Sequence, residues 1–177
     1  MRKLIAAINM TLDGYCDHTV INPDEEVHEH YTELLNKASL ALYGRVTYEL
    51  MQYWQPILKA PTGISSMDDF AIAIDRIPKV VFSHTLETTG WESATLAPGN
   101  VGDYVLELKS QAGGDILACS PSLIVGLTNL KLIDEYQPCI HPVIAGKGLP
   151  LFRNISEKTT FELIDTKTFG SGAVIHY

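Results

Sequence analysis

The chain has 177 residues, 46% of them hydrophobic and 19% charged, with a formal net charge of −8; that suits one globular domain able to bury a core. The acidic balance excludes a nucleic-acid binder, whose phosphate contacts need clustered Lys and Arg. Three cysteines, Cys16, Cys119 and Cys139, are odd in number and outside any C-x-x-C, against a disulfide framework or zinc site and in favour of a reducing compartment. The apolar run at the N-terminus is too short for a signal peptide, and no run approaches the ~18–20 residues of a membrane span, so a cytoplasmic protein is expected.

In chain order, Lys3–Asn9 is a short apolar run that predicts a buried first strand, followed by a turn at Leu12-Asp13-Gly14. Asn22-Pro23-Asp24-Glu25-Glu26 puts a capping residue and acids where a helix starts, predicting a helix over 24–37. Leu40–Tyr43 reads as a second strand ending at Gly44, Val46–Gln52 as a helix and Pro56–Gly63 as a loop. Met67–Arg76 has helical spacing with acids in its first turn, the end that favours negative charge. Lys79–Ser83 predicts a third strand, Val101–Gln111 a helix stopped by Gly113-Gly114, and Asp115–Ala118 a fourth strand. Ser122–Leu130 follows as a helix, with Pro121 near its start. Tyr136–Ile140 and Val143–Ala145 are strand-like, and Thr160–Asp165 with Gly172–Tyr177 predicts a terminal hairpin. The alternation of strand and helix predicts an α/β domain, its parallel sheet finished by antiparallel strands.

Three strand ends carry glycine or hydroxyl residues: Gly44-Arg45-Val46-Thr47, Ser83-His84-Thr85 and Cys119-Ser120-Pro121-Ser122. In a parallel sheet, ligands bind at such carboxyl ends, where helix starts present free N–H groups and a positive dipole. Each junction alone is equally a turn and a cap; three in succession make a multiphosphate ligand a candidate. Ala145-Gly146-Lys147-Gly148-Leu149-Pro150-Leu151 begins like a dinucleotide fingerprint but lacks its third glycine and reads as a turn, and no Walker motif is present. His28-Glu29-His30 cannot aim both imidazoles at one ion, because residues two apart lie on opposed helix faces. No deaminase zinc pattern and no nucleophile elbow occur, so no metal is expected.

Leu4-Ile5-Ala6-Ala7, Leu12-Asp13-Gly14, Tyr43-Gly44-Arg45-Val46-Thr47-Tyr48-Glu49 and Ile140-His141-Pro142-Val143-Ile144-Ala145-Gly146-Lys147-Gly148 follow one another as in the dihydrofolate-reductase-like superfamily. Within it the chain resembles the reductase (C-terminal) domain of the bacterial bifunctional riboflavin-biosynthesis deaminase–reductase, in single-domain form, over about Lys3–Tyr177. The resemblance implies a three-layer αβα fold, NADPH as cofactor and a homodimer. It assigns the cofactor to Gly44, Arg45 and Thr47, to Ser83 and His84 at the 2′-phosphate, to Ser120, Ser122 and Leu123 at the pyrophosphate, and to the backbone of Ala7 at the nicotinamide.

The implied activity is hydride transfer to a pyrimidine- or pteridine-like substrate, similar to 5-amino-6-(5-phosphoribosylamino)uracil reductase. A dihydrofolate reductase and a non-catalytic nucleotide-binding homodimer are the alternatives. Asp13 is the candidate proton donor, against its reading as a turn residue. Glu29, Tyr48 and Trp54 are candidates for the substrate side, against a charged helix face for Glu29 and core packing for the two aromatics. Relatives usually carry glycine where this chain has Cys119; a Cβ there is expected to crowd the cofactor, and its place before a helix start to lower the thiol's pKa.

Overall fold

The computed structural model describes residues 2–177. Six strands run parallel: β1 (Leu4–Thr11), β2 (Leu40–Gly44), β3 (Lys79–Phe82), β4 (Ala94–Leu96), β5 (Ile116–Ala118) and β6 (Glu135–His141). Two short strands, β7 (Thr166–Thr168) and β8 (Val174–His176), close the sheet antiparallel, giving the order β4-β3-β2-β5-β1-β6-β8-β7. The fold is the expected α/β architecture. Strands covered on both faces read as continuous apolar runs, and every residue of β2 is buried.

Helices α1 (Glu25–Lys37), α2 (Arg45–Met51), α3 (Gln55–Lys59) and α4 (Ser65–Arg76) lie between β1 and β3 in the chain; α5 (Val101–Ser110) and α6 (Pro121–Asn129) flank β5. The Asp24 carboxylate caps α1 by accepting from Val27 N, with Glu25 and Glu26 in the first turn and Lys37 in the last. Asn100 caps α5 through Gly102 N. Pleating divides the core. Leu35, Ala73 and Ile74 of α1 and α4 meet Ile5, Tyr43 and Leu117 on one face, whereas Val105, Leu123 and Leu127 of α5 and α6 meet Leu4, Leu42 and Ile116 on the other.

This topology creates a crevice. From β1 the chain passes through α1 to β2 on one side, and from β5 through α6 to β6 on the other, yet β1 and β5 are neighbours. Connections that leave adjacent strands in opposite directions leave a gap at the strands' carboxyl ends.

Four expectations about elements are corrected. Pro56–Gly63 is not all loop, because Pro56 fits the first turn of α3. Val143–Ala145 forms no strand but a loop after His141. The hairpin's first strand lies at Thr166–Thr168, later than Thr160–Asp165, with Ile164 N and Tyr177 N donating across to Tyr177 O and Asp165 O just beyond it. The third strand end leads to no helix: residues 83–93 run as a loop into β4, an edge strand too short to show in the sequence pattern.

Candidate functional site at the carboxyl ends of the strands

Gly44 ends β2 and Ser120 lies two residues past the end of the neighbouring β5, and their contact shapes the site. Ser120 is the N-cap residue of α6, where a serine hydroxyl ordinarily accepts from the second or third helical N–H. Here Ser120 Oγ instead accepts from Gly44 N at 2.8 Å, inside the core, and no side chain caps α6. Ser122 N and Leu123 N are thus left at the positive end of the helix without a side-chain partner. Gly44 itself caps α2 and can offer no side chain. A Cβ on Gly44 would stand 3.2 Å from Ser122 Oγ, close enough that this exposed hydroxyl would have to shift, whereas the φ of −79° is open to any residue.

The other expected cofactor residues surround this junction to differing degrees. Arg45 is exposed, and its guanidinium is held by Glu49 one turn along α2, at 2.9 Å. Thr47 is partly exposed in the same helix. Ser83 Oγ accepts from Thr85 N and Leu86 N, which shapes the loop after β3, and His84 stands exposed beside it. Ala7 is paired with Gln137 of β6, while the β1–β5 ladder ends one residue earlier at Ala6–Ala118. Two surface hollows, of about 290 Å³ near Tyr136 and Phe161 and about 450 Å³ near Lys3 and Tyr177, include none of these residues.

Several site assignments are corrected. Asp13 is not a proton donor at neutral pH. Its carboxylate accepts from Thr11 Oγ1 at 2.6 Å, Ala145 N at 3.0 Å and Gly146 N at 2.7 Å, and these bonds, the Thr11 hydroxyl foremost, hold its pKa down at about 2. It is a clasp between the loops after β1 and β6. Tyr48 is 1% exposed, packs on Trp91 and donates its hydroxyl to Thr89 O, so it belongs to the core. Glu29 is exposed, on the side of α1 away from buried Val27, His30 and Leu35. Trp54 packs against Phe70 and His28 and joins the core under α1 and α4.

Cys119 departs from expectation in both respects. Strand alternation turns its side chain to the face of Tyr43 and Leu117, while Ser120 faces α6. Its Cβ therefore does not fill the space at the start of α6. Burial pushes the thiol up to about 12, away from the thiolate.

The sequence model of the family described as the RibD C-terminal domain matches residues 2–175. The chain belongs to the RibD C-terminal domain family. The uncharacterized protein YyaP of Bacillus subtilis is 31% identical over 181 residues, covering 98% of this chain and 92% of that protein. Of the same bacterium, YwjB is 25% identical over 99% of this chain and 97% of its own length. A structure described as a riboflavin biosynthesis protein, from Shewanella sp. PV-4, superposes with a TM-score of 0.74 at 21% identity, over 98% of this chain and 96% of that one. The deaminase/5-amino-6-(5-phosphoribosylamino)uracil reductase of Thermotoga maritima does so with a TM-score of 0.63 at 15% identity, over 99% of this chain but 55% of that one. The fold seen here is thus that of RibD C-terminal domains.

Two residues at this edge escaped the sequence reading. Asn9 and His141, 132 positions apart, meet through Asn9 Oδ1 and His141 Nε2 at 2.9 Å. Their only sequence signal is a polar residue late in an apolar strand and a histidine before Pro142.

Proposed function

We propose that this RibD C-terminal domain protein is an NADPH-dependent reductase that delivers hydride to a pyrimidine- or pteridine-like substrate. One observation carries the reading: Ser120 Oγ is spent on Gly44 N, so the α6 start is left open beside a backbone with no side chain in the way. Uncapped N–H groups at a helix start are anion donors. Ser122 and Leu123 would hold the pyrophosphate, with Gly44, Arg45 and Thr47 beside it. Ser83 and His84 would meet the 2′-phosphate, and Ala7 the nicotinamide. The bound cofactor supplies the hydride; the chain's task is to hold the nicotinamide against the acceptor carbon of the substrate. Asp13, its pKa held down at about 2 by the Thr11 hydroxyl and two backbone N–H groups, is ionised near neutrality, and a bound water is the proposed proton source.

NADPH fluorescence on titration with protein tests binding, and NADPH oxidation with a panel of pyrimidinediones, pterins and dihydrofolate tests catalysis. Saturable binding with turnover on a pyrimidinedione or pterin is expected. Binding with no turnover on any of the panel would favour the non-catalytic alternative, and no binding at all would end the cofactor reading.

We also propose a homodimer. Phe161, Leu163 and Ile164 are 55%, 62% and 73% exposed along the segment leading into β7, the edge strand of the sheet. Apolar side chains on an unpaired edge are surface that a second copy would cover.

A further inference from the structure

Lys79, the first residue of β3, is 1% exposed, and its ammonium ends inside the fold. Nζ donates to Asp75 O at 3.2 Å, Ile77 O at 2.9 Å and Ser93 Oγ at 2.7 Å, and stands 4.2 Å from the centre of the Trp91 ring. All three N–H bonds are thus taken, two of them by carbonyls at the carboxyl end of α4, the end of a helix that favours a cation. Burial pushes the pKa of Lys79 down to about 8, against the pull of the Asp75 carboxylate. Packing alone would be served as well by an apolar side chain of similar length, because a buried charge costs desolvation that its partners at best repay. What the ammonium adds is direction.

The groups around it belong to one stretch, the return leg of the loop between β3 and β4. Ser93 Oγ donates in turn to Asp75 O at 2.7 Å, Trp91 Nε1 to Asp75 Oδ1 at 2.8 Å, and Lys79 N to Ser93 O at 2.7 Å. Thr89 Oγ1 donates to Ala94 O at 2.9 Å, and the Thr89 carbonyl accepts from the hydroxyl of Tyr48, whose ring packs on Trp91. Tyr48 lies in α2, the helix that starts at Arg45. The outgoing leg carries Ser83 and His84 and is shaped by Ser83 Oγ, which accepts from Thr85 N and Leu86 N. Among the described residues, 84–88 make no hydrogen bond outside the loop. The return leg therefore holds this arch against α2, and the ammonium holds the return leg.

We propose that Lys79 is a positioning residue for the adenosine end of the cofactor: through Trp91 and Thr89 it sets the spacing between α2, with Arg45, and the arch that carries Ser83 and His84. The inference rests on the reductase reading, which puts the 2′-phosphate at Ser83 and His84. A phosphate that draws donors from two elements at once depends on their spacing, whereas the ribose hydroxyl that NADH has in its place needs neither charge. Lys79 thus serves the choice of NADPH over NADH.

Lys79→Met keeps the length of the side chain and removes the charge, and its melting temperature should equal or exceed the parent's. By fluorescence titration NADPH should weaken by about tenfold and NADH by no more than about twofold. Hydrogen exchange at the amides of residues 85–90 should quicken in the cofactor-free variant. A residue that only filled the core would instead lower the melting temperature and weaken both cofactors alike. Should Lys79→Met fail to fold, Ser93→Ala, which takes one acceptor from the ammonium, carries the same test, with a smaller shift in the same direction. A variant that keeps the parental ratio of NADPH to NADH affinity, loop exchange that stays at the parental rate, or a parent that binds both cofactors equally would overturn the positioning role. Parent protein that binds neither cofactor would overturn the reductase reading itself, and this role with it.

Discussion

The ledge formed by Gly44, Ser120 and the start of α6 differs in kind from the corner formed by Asn9, Asp13 and His141 at the ends of β1 and β6. On the ledge the donors are backbone N–H groups, freed because Ser120 turns to Gly44. In the corner side chains are the partners, mostly of loop backbone: Asp13 accepts from Ala145 N and Gly146 N, Asp24 and Glu26 accept from Ser171 N and Gly170 N of the hairpin turn, and Asn9 meets His141. Backbone donors suit phosphate in any chain of this fold, whereas side-chain sets can be changed residue by residue. On the proposed reductase reading, the ledge is accordingly the general part of the site and the corner the particular one.

Acid should separate the two most strongly. Burial first, and then Lys167, lowers the pKa of His30 of α1 to about 4; burial also lowers His28 and His141. The folded protein keeps these imidazoles neutral while the unfolded chain takes up protons below about 6.5. Stability is therefore fully present above pH ~6.5 and falls as the pH drops towards 4, by roughly 3 kcal/mol for His30. The carboxylates of Asp13 and Asp24, lowered from 3.8, lose their contribution only in a second step below about pH 4. Urea midpoints across pH 3–8 should show the first arm, and His30→Phe should flatten it; a curve level between 6.5 and 4 would show that the imidazoles carry no such burden.

On the ledge, Arg45→Ala should weaken NADPH by about tenfold to a hundredfold, the value of roughly 1.5–3 kcal/mol for a charge-assisted bond to phosphate. The melting temperature should hardly move, because the Arg45–Glu49 pair is exposed and such pairs contribute little. A large loss of stability at unchanged NADPH affinity would make Arg45 structural.

Asp13→Asn sharpens the contrast from the corner side. It keeps the side chain's shape but removes the charge that three donors share. Proteolysis in the 143–149 loop should quicken, while the reductase pH–rate profile keeps its form. Loss from that profile of the fall in rate with rising pH would restore Asp13 as the proton donor.

The smallest expected effect is at Cys119. A thiol held up at about 12 is almost wholly protonated near neutrality, so iodoacetamide should leave it unmodified in the folded protein with or without NADPH. Mass spectrometry showing ready alkylation that NADPH suppresses would put the thiol on the ledge after all.

Much of this architecture was legible because its signals are local. Asp24-Glu25-Glu26 announced α1, and Pro121 with the apolar run after it announced α6. Where a second segment had to be consulted, the reading faltered. Tyr48 stood as a substrate-side candidate against core packing, and Trp91 and Thr89 around it decide for the core. Asp13 looked like an acid until the loop 132 residues away supplied its donors.

By itself the sequence determined the α/β class, the order of the longer strands and helices along the chain, and the family, since periodicity, caps and motif order are written in neighbouring residues. Only the tertiary structure decided which donors stay free. Ser120 gives up its capping role to a residue 76 positions away, Cys119 turns from α6 because its strand fixes the face it takes, and Asn9 meets His141 only where β1 and β6 lie side by side. Partners of hydrogen bonds are set by sheet register, and register is a property of the packed chain that no stretch of residues carries alone.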